Sequence, residues 1–144
     1  MEFIERVITA ITETHPIHPM LVHFPIGLTG AASFFILLAL FNKKEFFEQA
    51  AFANIALATV ATVAAGITGM YDNQVNYVGD APNAGLKVIL AIALFAVTTV
   101  TAVARWRNPD LFHKSKPLYV SAYFLSFGLA LVLAFLGGVI LYGF

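Results

Sequence analysis

The chain contains no cysteine. That excludes disulfides, iron–sulfur ligation and thiol catalysis within it. Charge is also scarce: 11% of residues are charged against 60% hydrophobic, where soluble domains carry about a quarter charged. Polar side chains are too few to cover a soluble domain of 144 residues, so the apolar excess must face lipid. Lysine plus arginine and aspartate plus glutamate balance at eight each, which leaves no net charge to draw nucleic acid. No phosphate-binding glycine loop, Ser-His-Asp arrangement or catalytic carboxylate pair is present. No independent enzymatic activity is expected. Residues 1–13 lack the uninterrupted apolar core of a cleavable leader.

What is there in abundance is long apolar runs. A membrane-spanning helix needs about 20 mostly apolar residues, because the hydrocarbon core is roughly 30 Å thick and each residue rises about 1.5 Å. Four runs qualify, at about 20–41, 50–71, 84–104 and 118–142. None holds an acidic residue, so a proton or ion path through them lacks its usual parts. Lys87 stands at the mouth of the third, where it can snorkel. The length suits one domain, and the expected fold is all-α: an integral membrane four-helix bundle. Ahead of it, in segment 2–13, Phe3, Ile4, Val7, Ile8 and Ile11 recur at helical spacing opposite Glu2, Glu5, Arg6, Thr9 and Thr12. That pattern predicts a short amphipathic helix lying at the membrane interface.

The basic residues set an orientation. Lys43, Lys44, Arg105, Arg107, Lys114 and Lys116 fall in the first and third connections, whereas the other side holds only Arg6 and Lys87. Basic connections stay cytoplasmic, so both termini and the connection 72–83 are expected outside. Ala58, Ala61, Thr62, Ala65, Gly66 and Gly69 in the second span, and Gly128, Gly137 and Gly138 in the fourth, are small enough to let helix backbones approach closely.

Three of the four histidines cluster in residues 15–25, which read HPIHPMLVHFP. Pro16 and Pro19 place a helix start near Pro19, since a proline's missing N–H costs nothing there. Pro25, inside the span, frees a carbonyl and should bend the helix. From His23, Gly27 and Gly30 follow at i+4 and i+7 on one face. An imidazole above two glycines leaves a flat macrocycle room to approach, and a neutral imidazole near a helix N-terminus is what a metal requires. His18 and His23 are too close in sequence to sandwich a ring. A second axial ligand would come from Met70 or from His18 of a second copy. Two other readings stand beside a haem or related tetrapyrrole. His15, His18 and His23, with Met20, Met70, Asp72 or Asp80, could form an outer-face copper or zinc site. Alternatively the histidines and prolines only cap the helix entry, and the glycines only seat a neighbour.

The stretch HPIHPMLVHFPIG, residues 15–27, resembles the opening of the DUF2231 family of predicted bacterial membrane proteins, and Gly66, Gly69 and Asp72 are similar to its second-helix end. The resemblance implies a four-helix unit of the bacterial cytoplasmic membrane with a redox association, and haem b held through His18 or His23. It departs at residues 83–87, NAGLK, where relatives often carry a histidine. The leading expectation is therefore an accessory membrane subunit, in contact with lipid and with a second copy or with subunits of a redox complex. It would bind haem b or a related tetrapyrrole at the outer face. The alternative is a cofactor-free structural or assembly subunit.

Overall fold

The structure is a computed structural model and describes residues 2–9, 17–42 and 44–142. All regular structure among them is helical: α1 (Glu2–Thr9), α2 (Ile17–Asn42), α3 (Glu45–Asn76), α4 (Ala84–Arg107), the single turn α5 (Leu111–Lys114) and α6 (Lys116–Tyr142). Four of these are long and apolar enough to cross a membrane: α2, α3, α4 and, over Lys116–Ile140, α6. Their backbone groups pair internally, which is what allows a chain to cross lipid. In α1, the apolar Phe3, Ile4, Val7 and Ile8 are all exposed and no residue is buried. The rest of the expected segment, residues 10–13, lies outside the described residues.

Short connections force the long helices up and down in turn. α2 and α4 each pack against both α3 and α6, which closes a four-cornered ring; α2 lies most extensively along α3. The inward stripe of α3 is Glu48, Ala51, Ile55, Ala58, Thr62 and Ala65, at alternating steps of three and four. That spacing keeps one face against a partner. α6 contributes Tyr119, Tyr123, Ser126 and Ala130, and α2 contributes Thr29, Ala32, Ser33, Ile36 and Ala39. Small and hydroxylated side chains thus make up most of the core, around the aliphatic Ile36, Ile55 and Leu94. Lipid tails offer no hydrophobic drive between helices, so close backbone approach and dispersion hold such a bundle together.

Most buried hydroxyls are paired in that core, Thr99 Oγ1 being the exception among the described residues. Thr29 Oγ1 donates to the Pro25 carbonyl at 2.6 Å, Thr62 to Ala58 at 2.7 Å, Thr101 to Val97 at 2.7 Å and Ser126 to Ala122 at 2.8 Å. Each bond stays within its own helix and neutralises the hydroxyl locally. Ser33 instead donates across to the Tyr123 carbonyl at 3.0 Å, tying α2 to α6.

The helices overrun the apolar runs that predict them. α2 begins at Ile17, α3 begins at Glu45 rather than near residue 50, and α4 continues through Arg105 to Arg107. α2 runs to Asn42 and α3 begins at Glu45, so the helices take up most of the expected first connection, residues 42–49. Glu48 therefore lies inside the bundle, 5% exposed. In α6, a side chain added at Gly128 or Gly137 would meet open space, so those glycines mark no close helix contact within this chain.

Candidate functional site

The histidine run sits where α2 starts and α3 ends. His15 lies outside the described residues. His18, in the first turn of α2, is half-buried against the last turns of α3. Its Nδ1 is 3.3 Å from Thr68 Oγ1. The Thr68 hydroxyl already donates to the carbonyls of Ala64 at 2.9 Å and Ala65 at 3.2 Å. Its oxygen is therefore the acceptor and the ring N–H of His18 the donor. Gly69 makes this seat: a Cβ there would lie 2.7 Å from His18 Cε1 and 3.2 Å from either ring nitrogen. The imidazole edge is packed on the α3 backbone.

His23 has a different setting. It is exposed, and its Nδ1 lies 2.6 Å from the Pro19 carbonyl oxygen one helical turn back. A carbonyl only accepts, so Nδ1 is the protonated donor and Nε2 is the ring nitrogen left for a further partner. Histidines that ligate a metal through Nε2 commonly anchor Nδ1–H on a carbonyl in this way. Gly27, at i+4 from His23, is exposed with open space over its Cα. Gly30 is not open: Phe127 of α6 sits 3.1 Å from where its Cβ would be. Met70 is 68% exposed. Among the described residues no group of three or more His, Asp or Glu side chains is placed to hold a metal ion.

The opposite end of the bundle holds a constellation that sequence reasoning missed. Arg105 of α4 donates from Nε to Glu48 Oε1 at 2.6 Å and from Nη2 to Oε2 at 2.8 Å. The two side chains are 14% and 7% exposed. Tyr119 donates its phenol to Glu48 Oε1 at 2.8 Å. With that proton committed, the 2.6 Å contact between the Tyr119 and Tyr123 hydroxyls must be donated by Tyr123. The result is a directed chain, Tyr123 to Tyr119 to Glu48, met from the other side by Arg105. Phe52 of α3 adds a ring face 5.4 Å from the guanidinium. Through the bond from Ser33 to the Tyr123 carbonyl, all four long helices join the network. Desolvating two charges costs several kcal/mol each, offset only when geometry is good and remaining valences are filled; here three donors fill the carboxylate.

A signal for this end is present in the sequence. Glu48 continues the three-and-four spacing of Ala51, Ile55 and Ala58, and Arg105 stands four residues beyond the buried Thr101. Tyr119 and Tyr123 share a face at i and i+4.

Searches among curated proteins and among solved structures found no match. The model of one family, described as "Predicted membrane protein (DUF2231)", matches residues 14–144. That span takes in the histidine run, all four long helices and the Glu48–Arg105 network, and the chain belongs to this family.

Proposed function

We propose that the protein is a small accessory subunit of the bacterial cytoplasmic membrane that offers His23 to haem b or a related tetrapyrrole at its outer end. The observation that carries this reading is the His23 imidazole, anchored through Nδ1–H on the Pro19 carbonyl with Nε2 free at the surface. The open Gly27 face beside it gives a flat ring room to approach. His18 then serves as a clamp between α2 and α3, because its ring edge is taken up by Gly69 and Thr68. A ring bound here would be held from one side by this chain. Any second axial ligand would come from another copy or a partner subunit of a redox complex. When bound, such a group supplies one-electron chemistry; the chain supplies an imidazole oriented by the Pro19 carbonyl.

The test is an absorption spectrum of the protein purified from its own host. A Soret band that disappears in His23→Ala but persists in His18→Ala is the expected result. A colourless protein from native membrane would overturn the reading. In that case the cofactor-free structural subunit is the better account, favoured by His18 seated on Gly69 and by Phe127 seated on Gly30.

Orientation is part of the same proposal. Lys44, Arg105, Arg107, Lys114 and Lys116 belong to the Glu48 end, and basic residues favour the cytoplasm. Because the chain has no cysteine, single-cysteine variants report topology directly. Asp80→Cys should label with an impermeant maleimide in intact cells and Lys114→Cys should not. The reverse pattern would move the His23 end inside.

A further inference from the structure

At the Glu48 end a cavity of about 450 Å³ opens beside the buried ion pair, with Lys44, Glu45, Arg105, His113 and Lys116 among its lining. A second hollow of about 500 Å³ runs along the bundle surface between α2 and α6, over Leu40, Pro117, Val120 and Phe124. The two share Leu40 and Lys116. They form a polar mouth continued by an apolar groove. The same end carries Trp106, 79% exposed, and exposed indoles favour the headgroup level of a membrane.

The charges in the mouth do not cancel. Glu48 and Arg105 neutralise one another, and Asp110 pairs with Lys114 at 3.6 Å. Lys44 and Lys116 form no ion pair among the described residues, and Lys116 is held 5.1 Å over the Phe112 ring. Against them stands one further carboxylate, Glu45. Within the lining Lys44, Arg105 and Lys116 match Glu45, Glu48 and Asp110, so the single positive charge left at this mouth depends on Lys114, just outside the lining, holding Asp110; Lys116 stands where the polar and apolar linings meet. We propose that this cavity and groove seat one anionic phospholipid, its phosphodiester held by Lys44 and Lys116 and one acyl chain laid along Leu40, Val120 and Phe124. The division of the site into a charged mouth and an apolar groove matches an amphipathic molecule. A soluble anion would use only the mouth.

Native mass spectrometry of the full chain in detergent tests this. The probes are phosphatidylglycerol, phosphatidylcholine with the same acyl chains, and inorganic phosphate. One phosphatidylglycerol should be retained at concentrations where phosphatidylcholine is lost. Each of Lys44→Gln and Lys116→Gln should weaken it about five-fold, the effect of one lysine near an anionic headgroup. Lys87→Gln, at the start of α4 and so at the other end of the bundle, should change nothing. Ser121→Trp, at an exposed position of the groove, keeps both lysines and should weaken lipid retention by blocking the acyl chain. Equal retention of the two lipids would overturn the proposal. So would unchanged binding in the double lysine variant or in Ser121→Trp, or displacement of the lipid by inorganic phosphate.

Discussion

Arg105 closes both of its inner nitrogens onto the two oxygens of Glu48, a residue 57 positions earlier in the chain, at 2.6 and 2.8 Å. Fork-on-fork geometry of this kind fixes the approach of α4 to α3 in direction as well as distance. Removing one partner strands the other as an uncompensated charge at the bundle end. Glu48→Ala or Arg105→Ala should each cost about 3–5 kcal/mol, seen as a large drop in the detergent unfolding temperature. Replacing both, as Glu48→Met with Arg105→Leu, should recover most of that loss, because the pair's desolvation penalty goes with its attraction. If the double variant is no more stable than the singles, the pair is not the unit that holds this end.

The direction of the tyrosine chain makes the two phenols unequal. Tyr119 donates to Glu48 and accepts from Tyr123. Tyr119→Phe therefore leaves the carboxylate one donor short and the Tyr123 hydroxyl without its acceptor, a loss of about 1–3 kcal/mol. Tyr123→Phe removes only one donor, at about 0.5–1.5 kcal/mol. Comparing the two unfolding temperatures tests the assignment, and Tyr123→Phe proving the more damaging would reverse the chain.

These residues also show where sequence reading stops. The four spans were legible because lipid demands long apolar runs, and Ala58, Thr62 and Ala65 were legible as a close-packing face because small residues have few other uses there. An apolar run ends at a charge, so sequence alone puts Glu48 and Arg105 in connections. A charge met by its counter-charge is neutral to the bundle, so the helices continue past it, and that pairing is made across sequence. The histidines divide in the same way. Their clustering was visible, but which one is clamped depends on Gly69, some fifty residues away, and on Phe127 reaching Gly30.

The His18 seat gives a comparison between neighbouring glycines. At Gly69 a methyl group would lie 2.7 Å from the imidazole, whereas at Gly66 it would meet nothing within 4 Å. Gly69→Ala should displace His18, separate it from Thr68 and cost about 1–3 kcal/mol, the range for overpacking. Gly66→Ala should be neutral or stabilising by about 0.5–1 kcal/mol, since alanine orders a helix more readily than glycine. Unfolding temperatures of the two variants read this directly. His18→Ala on its own should lower stability while His23→Ala leaves it unchanged, because His23 is exposed and its ring bonds to a carbonyl of its own helix. Equal effects of the two histidine variants would remove the distinction between clamp and free imidazole.

The turn after α3 carries a local conflict that substitution can relieve. Val78 has φ +53° and Gly79 φ +83°, and Asn83, just before α4, has φ +57°. Glycine and asparagine enter the left-handed region at small cost, but for a β-branched side chain it is a strained position, worth about 1–2 kcal/mol. Val78 is 87% exposed, so no packing offsets the strain. The turn is pinned around it instead, by Asn73, whose carbonyl accepts from Gly79 N–H at 2.9 Å and whose side-chain oxygen accepts from Ala81 N–H at 3.0 Å. Val78→Asn should therefore raise stability by about 0.5–1 kcal/mol, and Val78→Gly by less, because glycine also frees the unfolded chain. Val75→Asn, on the exposed side of α3, is the control and should give no gain. Thermal unfolding of the three variants decides the matter: a Val78→Asn protein no more stable than the parent would mean that the backbone there is held at no cost.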